Sequence, residues 1–593
     1  MTLKNILSLS LISLLSITVS AQKTSYTISF ENAVHHEANI RISFSDLTGK
    51  DLAIRMSSSS PGRYAVHHFA KNIYDIKATN SKGKTLKVQR LDPFSWRVLN
   101  HDGEVNVSYI LFADRGDGTY SQIDETHAHL NMPATFIYAP ALEDNPMEVT
   151  FNTRKDLNWS VATQLEPLGN NKFRAPDLQY FMDSPTEVSN HSVRSFDVDG
   201  KTIRFTLHHN GTEQELDTYF EKVKKTVLEQ KEVFGELPDF DYDTYTFLAC
   251  YIPNASGDGM EHRNSTILTS TRSLADGGME RNIGTVSHEF FHAWNVERLR
   301  PLSLEPFDFT KANMSGALWF AEGFTSYYTN LILCRAGIIT PEQYINSLNG
   351  TFNYVWNSPA RKYFNPIEMS YQAPFVDAAT SIDPTNRENT FISYYSYGSV
   401  LGLALDLSLR AKNLHLDDYM KLTWNKYGKK ELPYTIKDLE EALGEYAGVK
   451  FATAFFNNYI YSSEMPDYEA LFSEVGIMLT RDIEKPFTGA RVNHLGIIQN
   501  NIAQDTPAYE GELNKGDKII SIGNAEMDGM KKSFDDMISS YKPGEEIAVS
   551  FERSGQKKNT ILKLSSDPTY TIIIDKSAKK KQLKKRMDWL KNK

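Results

Sequence analysis

Cysteine is nearly absent from this chain: Cys250 and Cys334 are the only two among its 593 residues. So few cysteines exclude a disulfide-rich scaffold, in which several bridges take the place of a large core. Both cysteines lie in apolar sequence, so we expect two buried free thiols and no cysteine nucleophile. The alternative is a single disulfide, which an oxidising compartment would allow.

Long apolar runs are also missing from the chain after its N-terminal segment. The chain opens with a charged start that includes Lys4, continues as an apolar run to Val19, and reaches a small-x-small site that ends at Ala21. This pattern predicts a signal peptide over residues 1–21. No cysteine follows the run, which argues against a lipid anchor, and no later segment is apolar for long enough to span a bilayer. We therefore expect a soluble mature protein that is exported, either periplasmic or secreted.

An excess of positive charge is missing as well. Lys and Arg number 64 against 74 Asp and Glu, and the formal net charge of −10 indicates no nucleic-acid surface. The Gly-x-Ser-x-Gly motif of serine hydrolases is also absent. Apolar residues make up 40% and charged residues 23% of a chain that is too long for one core. We expect three or four globular domains.

The motif that organises the chain is His288-Glu289-Phe290-Phe291-His292, which fits H-E-x-x-H. On a helix, residues four apart lie on one face, so both imidazoles point to one position, as tetrahedral Zn²⁺ requires. Glu289 projects from the next position, close to a metal-bound water, as the general base of a metallopeptidase does. The alternative is an amphipathic core helix whose histidines form hydrogen bonds with their neighbours.

A second run, Trp319–Thr325, places the carboxylate of Glu322 in hydrophobic sequence. A buried glutamate is costly to ionise unless it is paired or bound to a metal. Two histidines and one glutamate, with water in the fourth position, make an open catalytic zinc site. We predict one Zn²⁺ per chain, held by His288, His292 and Glu322, with Glu289 as the catalytic base.

The remaining patterns predict the domain order. Residues 22–193 form short alternating segments broken by turns, which predicts an antiparallel β domain. A helix at about 213–234 and a strand at 245–251 precede the zinc motif, and helical segments continue to about residue 475. The catalytic domain is therefore predicted over residues 194–475.

The predicted β domain also carries two histidine pairs, His67-His68 and His127-Ala128-His129. Two histidines two apart on a strand share a face, so a second metal site is an alternative for this region. No carboxylate or cysteine stands at a convincing spacing in the sequence, and we do not predict such a site.

The sequence returns to short strands and turns at about residue 485, and residues 476–570 resemble a PDZ domain. The most recognisable stretch is 516–520, Gly-Asp-Lys-Ile-Ile. The resemblance places Leu495, Gly496 and Ile497 in the carboxylate-binding loop, so we expect an extended peptide to bind there as an added strand. The alternative is a domain that only packs against the catalytic domain.

The last predicted segment is a basic tail over residues 571–593, with Trp589 and Leu590 near its end. We expect a solvated helix that docks a few apolar residues onto the protein. The alternative is an element that binds a membrane surface or an acidic partner.

Taken together, the chain resembles the glycyl aminopeptidase family of gluzincin zinc metallopeptidases that end in a PDZ domain. The resemblance covers nearly all of the mature chain and is most specific at 288–301, HEFFHAWNVERLRP, and at 319–325. It implies a multidomain α+β fold, with an N-terminal antiparallel β domain, a thermolysin-like zinc peptidase domain and a C-terminal PDZ domain. It also implies removal of N-terminal residues, preferably small ones such as Gly or Ala.

Further site residues are implied by this resemblance alone. Gly259, Met260 and Glu261 fall on the family's substrate-binding strand, where Glu261 would grip the substrate's free α-amine, and His262 replaces an Asn. Tyr395 falls on the tyrosine that stabilises the tetrahedral intermediate. Tyr394 and Tyr397 are alternatives for that role.

The predicted function is therefore an exported zinc aminopeptidase that acts on peptides with a free N-terminus. The alternatives are a zinc endopeptidase and a non-catalytic scaffold that binds peptides through its PDZ domain.

Overall fold

A computed structural model describes residues 23–376, 384–528 and 532–591. The predicted signal peptide lies outside the described residues. The chain builds separate hydrophobic cores for an N-terminal β domain, a catalytic domain and a C-terminal PDZ domain. The predicted multidomain α+β fold is confirmed. Across the part of the chain that is described, none of the helices is both long and apolar enough to cross a bilayer.

The N-terminal domain consists mainly of short strands with alternating burial. Its strands are β1 (Lys23–Ser29), β2 (Glu37–Ser45), β3 (Leu52–Met56), β4 (Ile73–Thr79), β5 (Thr85–Asp92), β6 (Ser95–Leu99), β7 (Val105–Phe112), β8 (Gln122–Ile123), β9 (His127–Leu130), β10 (Ile137–Tyr138), β11 (Met147–Asn152), β12 (Ser160–Thr163), β13 (Glu166–Gly169), β14 (Lys172–Ala175) and β15 (Thr186–Ser189). Two short helices, α1 (Met132–Thr135) and α2 (Leu178–Met182), lie among them.

These strands form two sheets. The larger has the order β10-β3-β6-β5-β4-β7-β2-β1-β11-β14-β13, and the smaller has the order β12-β15-β9-β8. Pairing is antiparallel except between β1 and β11, which are parallel. Side chains alternate across each strand, so one face is buried in the core of the domain.

The catalytic domain begins with a mixed sheet. Its strands are β16 (Ser192–Val198), β17 (Lys201–His209), β18 (Thr244–Tyr251), β19 (Asp258–His262) and β20 (Ser265–Ser270). Their order is β16-β17-β18-β20-β19, with β17, β18 and β20 parallel and β19 antiparallel at the edge. This edge strand carries the predicted substrate-binding residues, and one face of the sheet is covered by helices.

The helices of the catalytic domain complete its core. They are α3 (Glu213–Phe234), α4 (Met279–Phe291), α5 (Leu318–Ala321), α6 (Gly323–Arg335), α7 (Pro341–Trp356), α8 (Pro366–Ser370), α9 (Ala373–Val376), α10 (Arg387–Thr390), α11 (Tyr394–Ala411), α12 (Leu416–Lys426), α13 (Ile436–Ala447), α14 (Val449–Phe455) and α15 (Tyr468–Glu474). The longest, α3, begins at a capping box of Thr212 with Glu215 and ends before Gly235, whose φ of 86° favours glycine. It packs against α4, the helix that carries the zinc motif.

The last part of the chain forms the PDZ domain and then returns to the catalytic domain. Its elements are β21 (Ile477–Arg481), β22 (Pro486–Phe487), α16 (Pro507–Glu510), β23 (Lys518–Ile522), β24 (Ala525–Glu526), α17 (Phe534–Ile538), β25 (Glu546–Arg553), β26 (Gln556–Lys563), β27 (Ser565–Ser566), β28 (Tyr570–Ile574) and α18 (Lys580–Leu590). The flanking strands β21 and β28 pair with each other, and Ile477 and Ile572 belong to the catalytic core. The PDZ domain is thus inserted between two strands that pack with the catalytic domain. These strands, β21 and β28, lie at the predicted domain boundaries, residues 476 and 571.

The predicted basic tail is a docked helix. Trp589 is fully buried, and its indole Nε1 donates a 3.0 Å hydrogen bond to the hydroxyl of Tyr327. Arg335 Nε donates to the Trp589 carbonyl at 3.1 Å, and the Cys334 thiol faces the Leu590 carbonyl. The docking of apolar residues is therefore confirmed. The expected state of both cysteines, buried and free, is also confirmed.

Candidate active site

Two histidines converge at the C-terminal end of α4. His292 follows the last residue of that helix with helical backbone angles (φ −65°, ψ −19°), so it stays one turn from His288. Their Nε2 atoms lie 3.2 Å apart. His292 is buried, whereas the His288 side chain is 18% exposed and forms an open side of the site.

Glu322 brings the third donor atom from the junction of α5 and α6. Its Oε2 lies 3.2 Å from His292 Nε2 and 3.7 Å from His288 Nε2. Two glycines allow this arrangement. A side chain at Gly323 or Gly398 would collide with the backbone of the other helix, so α11 can cross α5 and α6 in direct backbone contact.

The outer nitrogens of both rings are held in place. His292 Nδ1 donates to the Asn295 carbonyl at 2.6 Å, and His288 Nδ1 lies 3.2 Å from Thr329 Oγ1. Thr329 already donates its hydroxyl to the Thr325 carbonyl, so its oxygen accepts from His288. With Nδ1 as donor in each ring, both Nε2 lone pairs point to the centre, which is the orientation of zinc-bound histidines.

The donor set fits a divalent cation. For Zn–N bonds of about 2.0–2.1 Å, a tetrahedral site separates two nitrogens by about 3.3 Å, close to the observed 3.2 Å. Glu322 Oε2 is buried and makes no regular hydrogen bond within the described residues. Burial lowers the pKa of His292, but the Glu322 and Glu261 carboxylates outweigh it and raise this pKa to about 10. The centre therefore attracts positive charge, either a proton on His292 Nε2 or a cation between the three donor atoms.

Glu289 lies beside this centre. It is 6% exposed, and one carboxylate oxygen lies within 4.8 Å of ligand atoms of both His292 and Glu261. Gly259 on β19 packs directly against it, because a β-carbon there would collide with the Glu289 carboxylate and with Thr285. Burial, followed by the neighbouring carboxylates of Glu261 and Glu322, raises the pKa of Glu289 well above its usual value, although His292 opposes this.

Successive side chains of the predicted substrate-binding strand, β19, point to opposite faces of the sheet. Gly259 and Glu261 face the zinc ligands, whereas Met260 is buried against Gly62 and Gly118 of the N-terminal domain. Burial, the largest effect, raises the pKa of Glu261. The structure thus brings the Glu261 carboxylate to the centre, whereas Met260 packs against the N-terminal domain on the other face of the strand.

His262, which replaces an Asn of the family pattern, also points away from the centre. Its Nδ1 lies 2.9 Å from Asp183 Oδ1, and the ring is fully buried. His262 therefore ties β19 to the N-terminal domain.

The structure distinguishes the three candidate tyrosines. The Tyr395 ring lies 6.0 Å from the His288 ring and is partly exposed at the site. Tyr394 is buried behind it, with ring centroids 4.7 Å apart. Tyr397 is fully buried in the core of the catalytic domain. Of the three, Tyr395 has its ring beside that of His288, and its role in the reaction stays a prediction.

The sequence analysis missed contributions from the N-terminal domain. The Tyr64 hydroxyl donates a 2.6 Å hydrogen bond to Glu322 Oε1, and Arg63 forms an ion pair with Asp258 on the edge strand. Gly118 N also donates to Asp258, at 2.9 Å. The run Ser60-Pro61-Gly62-Arg63-Tyr64 marked the family resemblance, but nothing in its spacing showed that it reaches the metal centre.

The PDZ residues predicted to bind peptide lie elsewhere in that domain. Leu495 is 57% exposed in a turn, and the Gly496 carbonyl accepts a hydrogen bond from Ile519 N on β23. A cleft of about 640 Å³ instead separates α17 from residues 486–491. The structure does not bring Leu495, Gly496 and Ile497 to this cleft. Both Gly489 and Gly496 have φ near 80°, so the sequence offers two similar turns.

Comparisons with known proteins agree with this organisation. Residues 25–190 match the Peptidase M61 N-terminal domain, residues 281–401 match M61 glycyl aminopeptidase, and residues 480–564 match a PDZ domain. None of the curated proteins matches the chain.

Solved structures resemble this chain to different degrees, and the first one described here shares its fold. An aminopeptidase N family protein from Idiomarina loihiensis is 23% identical, with a TM-score of 0.83 over 96% of this chain and 100% of that one. An M1 zinc metallopeptidase from Deinococcus radiodurans is 12% identical over 75% of this chain and 95% of that one, with a TM-score of 0.44. Native yeast LTA4 hydrolase is 14% identical over 77% and 70%, with a TM-score of 0.41.

Proposed function

This chain belongs to the M61 glycyl aminopeptidase family of zinc metallopeptidases, and we propose that it removes small N-terminal residues such as Gly or Ala from peptides. The observation that carries the proposal is the convergence of His288, His292 and Glu322 on one point. Two further carboxylates, Glu289 and Glu261, stand beside that point in separate positions. This arrangement supports the roles of metal ligands, base and amine-binding group.

The three donor atoms suit Zn²⁺. When bound there, zinc supplies a Lewis acid for the scissile carbonyl and makes water nucleophilic near neutral pH. The protein keeps the donors in place through hydrogen bonds from Tyr64 to Glu322, from His292 to Asn295 and from His288 to Thr329. Such outer partners hold the ligands in their binding geometry.

Glu289 is the proposed general base. It takes a proton from the attacking water and then gives that proton to the leaving amine. Burial and the adjacent carboxylates raise its pKa, which makes it a stronger base than an exposed glutamate. Gly259 supports this role, because the missing side chain lets the substrate strand lie against the Glu289 carboxylate.

Glu261 is the proposed anchor for the substrate's ammonium group. Its carboxylate lies within 4.8 Å of Glu289 and His292 ligand atoms, so a cation bound there has its first peptide bond at the centre. The space is narrow: a β-carbon at Gly62 would lie 3.0 Å from Glu261 Oε2. This crowding supports a preference for small N-terminal side chains.

Tyr395 is the proposed oxyanion donor. Its ring lies beside that of His288, on the open side of the centre. The hydroxyl donates a hydrogen bond to the carbonyl oxygen as negative charge develops there, an effect typically worth about 3 kcal/mol. Burial, the largest effect, raises the pKa of Tyr395, so the hydroxyl keeps the proton that it donates.

The test is a substrate profile of the intact chain. Glycyl, alanyl, leucyl and phenylalanyl amides, the corresponding N-acetylated amides and short peptides are compared before and after treatment with a chelator. We expect cleavage of free Gly and Ala substrates, no cleavage of acetylated ones, and recovery of activity when zinc is restored. Equal cleavage of acetylated peptides would show an endopeptidase. A purified protein without metal or activity would support the peptide-binding scaffold.

We also propose that the protein is exported after cleavage behind Ala21. The charged start, the apolar run and the small-x-small site of residues 1–21 support this. Mass determination of the N-terminus of protein purified from the native source tests it. A retained residue 1–21 segment would contradict export by this route.

For the PDZ domain, we propose that an extended peptide binds in the cleft between α17 and residues 486–491. The cleft volume and the half-buried strand β22 at its edge support it. Binding of a fluorescent peptide library by the wild-type chain but not by a variant with Ser539→Trp, a change at an exposed residue that lines the cleft, is the expected result. Equal binding by both would place the site elsewhere.

A further inference from the structure

A second group of metal-ligand side chains lies where the N-terminal and catalytic domains meet. It consists of His127 on β9, His208 on β17 and Cys250 on β18, whose ligand atoms lie within 4.8 Å of one another. They are 0%, 8% and 1% exposed. None of them takes part in the proposed peptidase chemistry.

The fold brings these residues together from three distant parts of the sequence. His208 and Cys250 are directly paired in the register of the parallel strands β17 and β18, so they share a face of the catalytic sheet. His127 comes from the smaller sheet of the N-terminal domain, and its ring stacks on that of His208 at 4.9 Å. A ligand bound by all three would join the two domains.

The hydrogen bonds of His127 leave one nitrogen facing the cluster. Gln122 Nε2 donates to the Asn254 carbonyl at 3.0 Å, which turns Gln122 Oε1 towards His127 Nε2 at 3.2 Å. The amide oxygen can only accept, so His127 Nε2 carries a proton. His127 Nδ1 then faces the Cys250 Sγ at 3.7 Å and Glu187 Oε1 at 3.3 Å. That nitrogen either carries a proton, which Glu187 accepts, or presents its lone pair to a cation held with Cys250.

The other two ligands are also in suitable states. His208 Nε2 is buried and has no hydrogen-bond partner among the residues that the structure describes. His208 Nε2 is therefore available to a ligand, and the buried Cys250 thiol would release its proton on binding a cation.

We propose that His127, His208 and Cys250 hold a structural Zn²⁺ that clamps the N-terminal domain onto the catalytic sheet. With Zn–S near 2.3 Å and Zn–N near 2.05 Å, a tetrahedral site separates sulfur and nitrogen by about 3.6 Å, against 3.7 Å here. Two imidazoles and a thiolate favour zinc over magnesium or calcium.

Charge and proton balance are satisfied by the groups present. Binding releases the thiol proton of Cys250 to solvent and changes no oxidation state. The resulting thiolate and the Glu187 carboxylate, which is buried beside His127, together balance the two charges of the ion. The complete burial of the cluster leaves no access for substrate, which indicates a structural site.

The deciding experiment is zinc analysis with X-ray absorption at the zinc edge on the intact, purified chain. The proposed catalytic centre contains only nitrogen and oxygen donors, so a sulfur shell can arise only from the second site. We expect two zinc ions per chain and a sulfur shell at about 2.3 Å. Zinc without a sulfur shell would overturn the proposal, and the cluster would then be an ion pair between a protonated His127 and Glu187.

Cysteine variants add a matched control. Cys250→Ser should lose the sulfur shell and one zinc ion, and its thermal unfolding midpoint should fall by about 5 °C. Cys334→Ser removes an equally buried thiol far from the cluster and should retain both zinc ions and the sulfur shell. Retention of the sulfur shell by Cys250→Ser would contradict the assignment. The wild-type spectrum decides the question even if Cys250→Ser does not fold.

Discussion

The Tyr64 hydroxyl donates a 2.6 Å hydrogen bond to Glu322 Oε1 across 258 residues of sequence. The bond occupies one carboxylate oxygen and leaves Oε2 facing the two histidines. Tyr64 belongs to the N-terminal β domain, whereas Glu322 belongs to the catalytic domain. The carboxylate of one predicted zinc ligand is therefore oriented by a residue of a second domain, and the catalytic domain alone lacks this contact.

Tyr64→Phe should weaken zinc binding without removing a ligand. The lost hydrogen bond lets the Glu322 carboxylate rotate, and loss of such an outer partner typically lowers metal affinity about 10–100-fold. Competition with a chromogenic chelator measures the affinity. Tyr74→Phe, which removes an exposed hydroxyl of the same domain that contacts Glu37, is the control and should leave affinity unchanged. Equal affinities for both variants would contradict the role of Tyr64.

Glu289→Gln should retain zinc and lose nearly all turnover. The amide cannot take up the proton of the attacking water, so kcat should fall by about 10²–10⁴-fold or more. Zinc content and kcat are measured on the same preparation. Glu280→Gln, an exposed change at the start of the same helix, should behave as wild type. If the Glu289 variant kept its kcat, the base would have to be another residue.

Glu261→Gln should affect substrates according to their N-terminus. Loss of the anion removes the attraction for the ammonium group, so kcat/KM for alanyl amides should fall by about 10–100-fold. A propionyl amide, which has the same shape without the amine, should be cleaved slowly and equally by wild type and variant. A parallel loss for both substrates would mean that Glu261 acts on the site as a whole and not on the amine.

Tyr395→Phe should lower kcat by about 10²–10³-fold while zinc content stays at the wild-type level. The expected cause is loss of the hydrogen bond to the developing oxyanion, which the substrate does not yet need in its ground state, so KM should change little. Steady-state kinetics provide the measurement. Tyr397→Phe is the matched control, since that residue lies in the core. A larger loss of kcat in Tyr397→Phe would reverse the assignment.

Trp589→Ala should destabilise the catalytic domain by about 3–5 kcal/mol, because it empties a fully buried site against Tyr327 and Tyr344. The loss appears as a lower midpoint of thermal unfolding. Met587→Ala on the same helix, where the side chain is 55% exposed, should change stability by no more than about 0.5 kcal/mol. If Trp589→Ala and the wild type had equal midpoints of thermal unfolding, the terminal helix would contribute little to stability.

The local sequence pattern was enough to predict several helices and strands and part of the candidate active site. The helix predicted at 213–234 has those bounds, and the strand predicted at 245–251 differs by one residue. Their hydrophobic periods and cap residues act over one or two turns, so the sequence contains the necessary information. The same holds for His288 and His292, since helical spacing alone places two side chains on one face.

The PDZ domain shows where local pattern is ambiguous. Gly489 and Gly496 lie seven residues apart, and each turns the chain with a positive φ. Only the pairing of residues 495–497 with β23, and the position of α17 opposite 486–491, shows which turn borders the cleft. Strand pairing depends on residues far apart in sequence, which no short window contains.

The sequence by itself determined the H-E-x-x-H motif and the order of the domains, because each depends on spacing within a few turns or strands, whereas Gly259, Met260 and Glu261 were assigned by the family resemblance. Tertiary structure alone decided that Tyr64 supports Glu322, that the terminal helix docks on the catalytic core, and that His127 meets His208 and Cys250. These contacts join segments separated by tens to hundreds of residues. Their geometry arises from packing of whole sheets and helices, which a linear pattern does not encode.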